Sequence, residues 1–318
     1  MYDNTAPAPR PKILLDCDPG HDDAMAIIAA ARYADLVGIT TVAGNAPLER
    51  TTYNARVMRD LLEIEVPIHS GSPRPLVSEP HFGAFVHGES GLDGADLPEP
   101  ITALDGTDAV SFIIDMCRST DGVWLVPVGP LTNIALALRA APDISTRIAG
   151  VSLMGGGTFG NRTPMAEFNV WADPEAAAIV FGYGGPLLMA GLDVTHQFQS
   201  TPERIQQVAE IPGVLASVLA QLLGFFSDNY LSRHDVGALL GAAVHDPLAV
   251  FALTHPDLFT RTARHVAIEL KGELTRGMTV IDQRHILERA APNCDVLTTV
   301  DHGPTFDLLI DAIAHSSH

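Results

Sequence analysis

The run Asp16-Cys17-Asp18-Pro19-Gly20-His21-Asp22-Asp23 places four carboxylates within eight residues. It follows an apolar stretch, Ile13–Leu15, that reads as a buried strand. Strand alternation puts Asp16 and Asp18 on one face. Pro19-Gly20 turns the chain. Asp22 and Asp23 then open a helix, whose partial positive charge at that end tolerates acids. One or two aspartates would suit a helix cap with solvated neighbours. Four at the end of a buried strand repel one another, and a hard cation relieves that repulsion. Carboxylates and backbone carbonyls are ligands of Ca²⁺ and Mg²⁺. A further acid lies far downstream in Ala242-Ala243-Val244-His245-Asp246-Pro247. Taken alone, that His-Asp pair before proline reads as a helix cap more readily than as a ligand.

Other chemistries fit the sequence less well. Gly155-x-Gly157-x-x-Gly160 matches a dinucleotide fingerprint as text, but Asn161-Arg162-Thr163-Pro164 does not open the helix that NAD binding needs. No P-loop, no G-x-S-x-G elbow and no HExxH pair is present. Cys17 follows a buried strand and reads as structural. Asp16-x-Asp18 after an apolar strand matches the nucleophile arrangement of haloacid-dehalogenase-type phosphatases. That reading leaves Asp22-Asp23 unexplained and lacks a clear downstream lysine.

The elements that must position these residues alternate. Strands are expected at Ile13–Leu15, Leu36–Val42, Val66–Ser70, Val123–Val128, Ile148–Met154 and Pro186–Ala190. Helices are expected across Asp22–Tyr33, Leu48–Ile64, Asp108–Arg118, Leu131–Ala140 and Asp173–Phe181. Further helices are expected in Thr201–Leu223 and His245–Leu253, a strand pair at Arg264–Leu270 and Gly277–Ile281, and a closing helix at Pro304–Ala314 with Pro304 in its first position. This order predicts an α/β fold with a mostly parallel central sheet, a Rossmann-like start and helices on both faces. Asp16, Asp18, Gly44-Asn45, Gly129-Pro130 and Gly155-Gly156-Gly157 all follow strands, so they share the carboxyl edge where such sheets bind ligands.

Composition agrees. The 318 residues are 47% apolar and only 6% aromatic, which suits helices on a buried sheet. A formal charge of −19 argues against nucleic acid and anionic membranes as partners. No run of about 18 apolar residues suggests a span. Three separated cysteines fit a reducing cytoplasm. Residues 1–11 read as a loose leader and 12–318 as a single domain.

The acidic run through Ala24-Met25-Ala26-Ile27 closely resembles the signature of the inosine–uridine preferring nucleoside hydrolases. The resemblance continues in Thr41-Val42-Ala43-Gly44-Asn45, His87-Gly88-Glu89-Ser90-Gly91 and Val126-Pro127-Val128-Gly129-Pro130-Leu131-Thr132-Asn133. It extends through Met154-Gly155-Gly156-Gly157, Ala166-Glu167-Phe168-Asn169, Gly191-Leu192-Asp193-Val194-Thr195 and Val244-His245-Asp246-Pro247. These blocks stand in family order from residue 12 to about 285. The resemblance implies hydrolysis of N-ribosides to ribose and free base at a tightly held Ca²⁺. It implies Asp18, Asp23, Asp246 and the carbonyl of Val128 as metal ligands. Members often carry threonine at that carbonyl position, and a backbone ligand tolerates valine. Asp18 would also take the proton from the attacking water. Asp22, Asn45, Asn161, Glu167 and Asn169 would hold the ribose hydroxyls. Met154 and Phe168 would form the apolar floor, and His87 and His245 would lie near the base, with His245 as acid.

The resemblance further implies a homo-oligomer, tetramer or dimer, and a small-molecule nucleoside as partner. It leaves purine against pyrimidine open, because Arg74–His87 and Leu222–Leu240 diverge. Phe225, Phe226, Tyr230 and His234 would either line the base pocket or pack a helix. A non-catalytic nucleoside-binding protein is the other alternative, but it would be expected to lose Asp18 or a ligand. If Asp18 is both ligand and base, Asp18→Asn keeps much of the fold and lowers kcat at least ~10²-fold. Glu167→Gln alters both KM and kcat, because sugar contacts strengthen in the transition state. Steady-state kinetics on a nucleoside checks both, and a near-normal kcat for Asp18→Asn reassigns the base.

Overall fold

A computed structural model describes residues 10–234, 239–286 and 288–317. Most of the expected leader lies outside the described residues, as does part of the divergent segment before Leu240. The chain begins β1 (Lys12–Cys17), α1 (His21–Tyr33), β2 (Asp35–Thr41), α2 (Leu48–Leu61) and β3 (Ile68–Ser70). A long connection carrying the short α3 (Ala84–His87) leads to α4 (Ala109–Ser119). Then come β4 (Val123–Pro127), α5 (Thr132–Ala140), β5 (Gly150–Met154), α6 (Phe168–Ala172), α7 (Pro174–Phe181) and β6 (Leu187–Ala190). The remainder runs α8 (Leu192–Thr195), β7 (Gln199–Ser200), α9 (Pro202–Ala209), α10 (Val214–Leu231), β8 (Ala242–Ala243) and α11 (Pro247–Thr254). It closes with β9 (Phe259–Arg264), β10 (Val266–Ile268), β11 (Thr279–Ile281), β12 (Cys294–Val300) and α12 (His302–Ser316).

Eight strands form the main sheet in the order β3-β2-β1-β4-β5-β6-β12-β9. All neighbours are parallel except β12 and β9, which are antiparallel. The expected α/β architecture is therefore present. The strand order reverses between β1 and β4, and such a switch point opens a crevice at the carboxyl ends. The acidic run leaves β1 on one side of that crevice and Val128-Gly129 leaves β4 on the other. The backbone N–H of Val128 donates to the Asp16 carbonyl at 2.8 Å, tying the two exits together.

Burial explains why β1 reads as a continuous apolar run. Ile13, Leu15 and Cys17 enter the core shared with α1, α10, α11 and α12. Leu14 faces the other core, with α4, α5 and α7. A strand covered on both faces has no polar face to alternate with. α10 is the one helix among the described residues long and apolar enough to cross a membrane, and 56% of it is buried inside the fold.

The structure corrects three expectations. The helical stretch expected in Thr201–Leu223 runs on to Leu231 and is split at Ile211-Pro212-Gly213, where proline lacks a donor and Gly213 takes φ +120°. Pro304 is the third residue of α12, a position whose N–H has no intrahelical partner anyway. Strands β12 and β9 complete the sheet and were not expected. β9 is a mostly exposed edge strand of sequence FTRTAR, so no apolar alternation marks it.

Asp173 links the layers. One carboxylate oxygen accepts from Thr132 Oγ1 at 2.7 Å and from the Leu76 N–H at 2.9 Å, and the other caps α7 through the Ala176 N–H at 3.1 Å. Asp173→Ala removes a cap and strands the buried Thr132 hydroxyl and the half-buried Leu76 N–H, which costs about 2–4 kcal/mol. Urea unfolding measures this as a lower midpoint with unchanged slope.

Candidate active site

The acidic turn is held by backbone amides. Asp23 Oδ1 accepts the Asp18 N–H at 3.0 Å, and its Oδ2 accepts the Gly20 N–H at 2.9 Å and Asn45 Nδ2 at 3.0 Å. Asp18 Oδ2 accepts the Asn45 N–H at 2.6 Å. Its Oδ1 is buried with no hydrogen-bond partner. Gly44 and Gly129 flank this carboxylate so closely that a methyl group at either would overlap it. Glycine is needed at both positions for close approach.

Asp16 points elsewhere. Its Oδ1 accepts from Thr40 Oγ1 at 2.6 Å and Asn133 Nδ2 at 2.8 Å, and it does not line the cavity. Its Oδ2 has no partner but is fully buried away from the cavity, which removes the phosphatase reading, because a nucleophile must face the substrate. The Gly155–Gly157 segment is followed by bends, and the next helix starts only at Phe168, so the dinucleotide reading fails as expected. Cys17 is fully buried, with Sγ 3.6 Å from the Thr40 carbonyl, as expected of a structural thiol.

A cavity of about 530 Å³ opens at the switch point. One wall carries Asp22, Asn45, Val128 and Asp246. A second carries Met154, Asn161, Glu167, Phe168 and Asn169, and His87 and His245 also line it. Asp18 and Asp23 lie behind this surface, almost fully buried.

The second wall is preorganised by its own hydrogen bonds. Glu167 caps α6, accepting from the Asn169 N–H at 2.9 Å and the Val170 N–H at 3.1 Å, and also takes the Gly156 N–H at 2.9 Å. Gly156 adopts φ +72°, which favours glycine there. Asn161 Oδ1 accepts the Phe168 N–H at 2.9 Å. Asn169 Nδ2 donates to the Val128 carbonyl at 2.8 Å and the Met154 carbonyl at 3.2 Å, so it bridges β4 and β5.

The divergent segment supplies the third wall. Phe226, Tyr230 and His234 line the cavity, whereas Phe225 stacks on His21 instead. The Tyr230 hydroxyl lies 3.3 Å from His245 Nε2 and 3.4 Å from His196 Nε2. His245 Nδ1 meets Thr195 Oγ1 at 2.7 Å. Tyr230 and His196 were not assigned from sequence. The sequence leaves Tyr230 open between lining the base pocket and packing a helix, and the fold shows that it meets His245.

Electrostatics make the cluster a cation trap. Asp22, Asp23 and Asp246 each offer an oxygen within 4.8 Å of the others. Burial, followed by the charge of Asp23, pushes Asp22 up to about 8 and Asp18 well above the usual carboxylate range. Burial and the neighbouring aspartates do the same to Asp246. The donor set and the unpartnered Asp18 Oδ1 fit a hard divalent ion, which lifts this penalty. Burial pushes His87 and His245 well below the usual imidazole range.

A cavity with acids and amides on one side and imidazoles on the other, at the switch point of a parallel sheet, defines a hydrolase suited to a polyol joined to a heterocycle. The sequence model of the inosine–uridine preferring nucleoside hydrolases matches residues 13–307, and the chain belongs to this family. It hydrolyses the N-glycosidic bond of ribonucleosides. The chain is 42% identical over 306 residues to the pyrimidine-specific ribonucleoside hydrolase RihA of Escherichia coli, covering 95% of this chain and 97% of the relative. It is 44% identical to RihA of Shewanella baltica over 306 residues, 95% of each. Among solved structures, the purine-preferring ribonucleoside hydrolase from Gardnerella vaginalis superposes with a TM-score of 0.89 at 32% identity, covering 96% of this chain and 99% of that one.

Gly129→Ala tests the cradle around Asp18. The added methyl must displace the carboxylate, and a shift of about 1 Å costs on the order of 10²-fold in kcat. Kinetics and circular dichroism together check that activity falls while the fold remains.

Proposed function

We propose that the protein is a Ca²⁺-dependent ribonucleoside hydrolase that prefers pyrimidine nucleosides. The observation that carries the base preference is the near full-length similarity, at 42% and 44% identity, to relatives named pyrimidine-specific. The purine-preferring structural relative stands at 32%. Calcium is the ion of choice because the donors are all hard oxygens. The set would comprise Asp18, Asp23, Asp246 and the Val128 carbonyl, with Asp22 close enough to share in it.

When bound, the ion would neutralise the carboxylates and favour deprotonation of the attacking water. Asp18 is the carboxylate that would receive that proton. Cleavage passes through an oxocarbenium-like state. Asp22, Asn45, Asn161, Glu167 and Asn169 hold the ribose hydroxyls, and Met154 and Phe168 exclude water beneath the sugar. His87 and His245 sit on the base side. Tyr230, hydrogen-bonded to His245, extends that side toward the leaving group. The domain covers residues 12–318. It works in the cytoplasm as a homo-oligomer, tetramer or dimer, in nucleoside salvage.

A panel of uridine, cytidine, inosine and guanosine, assayed for reducing sugar, tests this reading. Uridine or cytidine is expected to exceed inosine at least ~10-fold in kcat/KM, the scale that pocket contacts of 1–3 kcal/mol supply. Exhaustive chelation, verified by elemental analysis, should abolish activity and Ca²⁺ should restore it. Asp23→Ala should lose metal and activity together. Full turnover by metal-free protein would sink the calcium assignment, and an inosine preference would sink the base assignment.

A further inference from the structure

His21 has no task in the mechanism above. It stands inside the acidic turn, yet it is fully buried and does not line the cavity. Its ring stacks on Phe226 at 5.3 Å between centroids and on Phe225 at 5.6 Å. Its Nε2 lies 2.9 Å from the Asp93 carbonyl, which can only accept, so Nε2 donates. The Asp93 side chain accepts from the Glu89 N–H at 3.0 Å and the Ser90 N–H at 3.3 Å, which fixes the loop that carries this carbonyl.

The other face of His21 meets His87. The two Nδ1 atoms are 3.1 Å apart, and the His21 backbone N–H approaches the same His87 nitrogen at 3.3 Å. A nitrogen–nitrogen approach of that length takes one proton between the rings. Because neutral His21 already donates through Nε2, its Nδ1 accepts and the shared proton sits on His87 Nδ1. Nε2 is then the ring nitrogen left for the cavity that His87 lines. Gly20 makes the approach possible, because a methyl group there would overlap the His87 ring.

We propose that His21 is a positioning residue for the leaving group, accepting the His87 Nδ1 proton on its own ring nitrogen so that His87 Nε2 faces the nucleobase. This rests on the reading that His87 belongs to the base side. The turn that carries Asp22 and Asp23 thereby also aims an imidazole at the other end of the substrate. The distance between the sugar and base subsites is built into one stretch of backbone.

The test uses the full-length enzyme with calcium. The substrates are the best nucleoside of the panel and p-nitrophenyl riboside, whose anion leaves without help. His21→Phe keeps the stacking and deletes the nitrogens. It is expected to lower kcat/KM on the nucleoside roughly 10–100-fold and on p-nitrophenyl riboside under about 3-fold, with calcium content unchanged. His87→Ala should show the same substrate pattern. The double variant should be no worse on the nucleoside than His87→Ala alone, because residues acting as a unit are not additive. His21→Gln retains a hydrogen-bonding group, so it should recover part of the loss and provides the comparison if the phenylalanine variant does not fold. Equal losses on both substrates, multiplicative losses in the double variant or normal nucleoside turnover in His21→Gln and His21→Phe alike would overturn the proposal. An inosine preference in the wild type would leave it standing, since it concerns the leaving group and not which base leaves.

Discussion

Mutual repulsion among buried aspartates is the constraint on which the rest of the site depends. Asp16, Asp18, Asp22, Asp23 and Asp246 are all buried at one edge of the sheet. No lysine or arginine forms a salt bridge with any of them among the described residues. The protein instead uses neutral donors. Asp23 takes two backbone amides and one side-chain amide, and Asp18 takes one backbone amide. Such donors stabilise charge without cancelling it, so an attraction for a cation remains. A salt bridge would have quenched that attraction, and with it the site.

The sheet order supplies the convergence. Loops leaving β1 and β4 diverge to opposite faces, and the crevice between them admits both the acids and the Val128 carbonyl. α11 then brings Asp246 in from more than two hundred residues away, packed against α1. Glycines close the remaining gaps at positions 44 and 129, where any side chain would strike Asp18. The site is assembled by backbone proximity as much as by side-chain choice.

What was legible in the sequence follows the same division. The acidic turn, its strand and its helix are local, and the residues Asp18 to Asp23 announce them. Glu167 and Asn169 were legible as site residues through their motif, but their capping of α6 and bridging of β4 to β5 required coordinates. Tyr230 stays open between pocket and helix packing in the sequence because its segment departs from the family pattern, and its hydroxyl finds His245 only in three dimensions. The edge strand β9 escaped because an exposed strand with charged residues carries no apolar period. β12 mixes polar and apolar residues, and its place in the sheet is set by β6 and β9.

The buried thiol inside the acidic run has a chemical consequence. Only a thiolate reacts readily with oxidants and alkylating agents. Burial pushes the Cys17 thiol up, and Asp23, Asp16 and Asp18 push it further, so the charges that attract a cation also keep this sulfur protonated. Cys117 and Cys294 are likewise buried and shifted upward by burial. Peroxide or an electrophilic drug therefore meets no ready thiolate at these three cysteines. Covalent inhibition is better aimed at some other nucleophile, and the folded chain disfavours thiol oxidation as a way of switching the enzyme off.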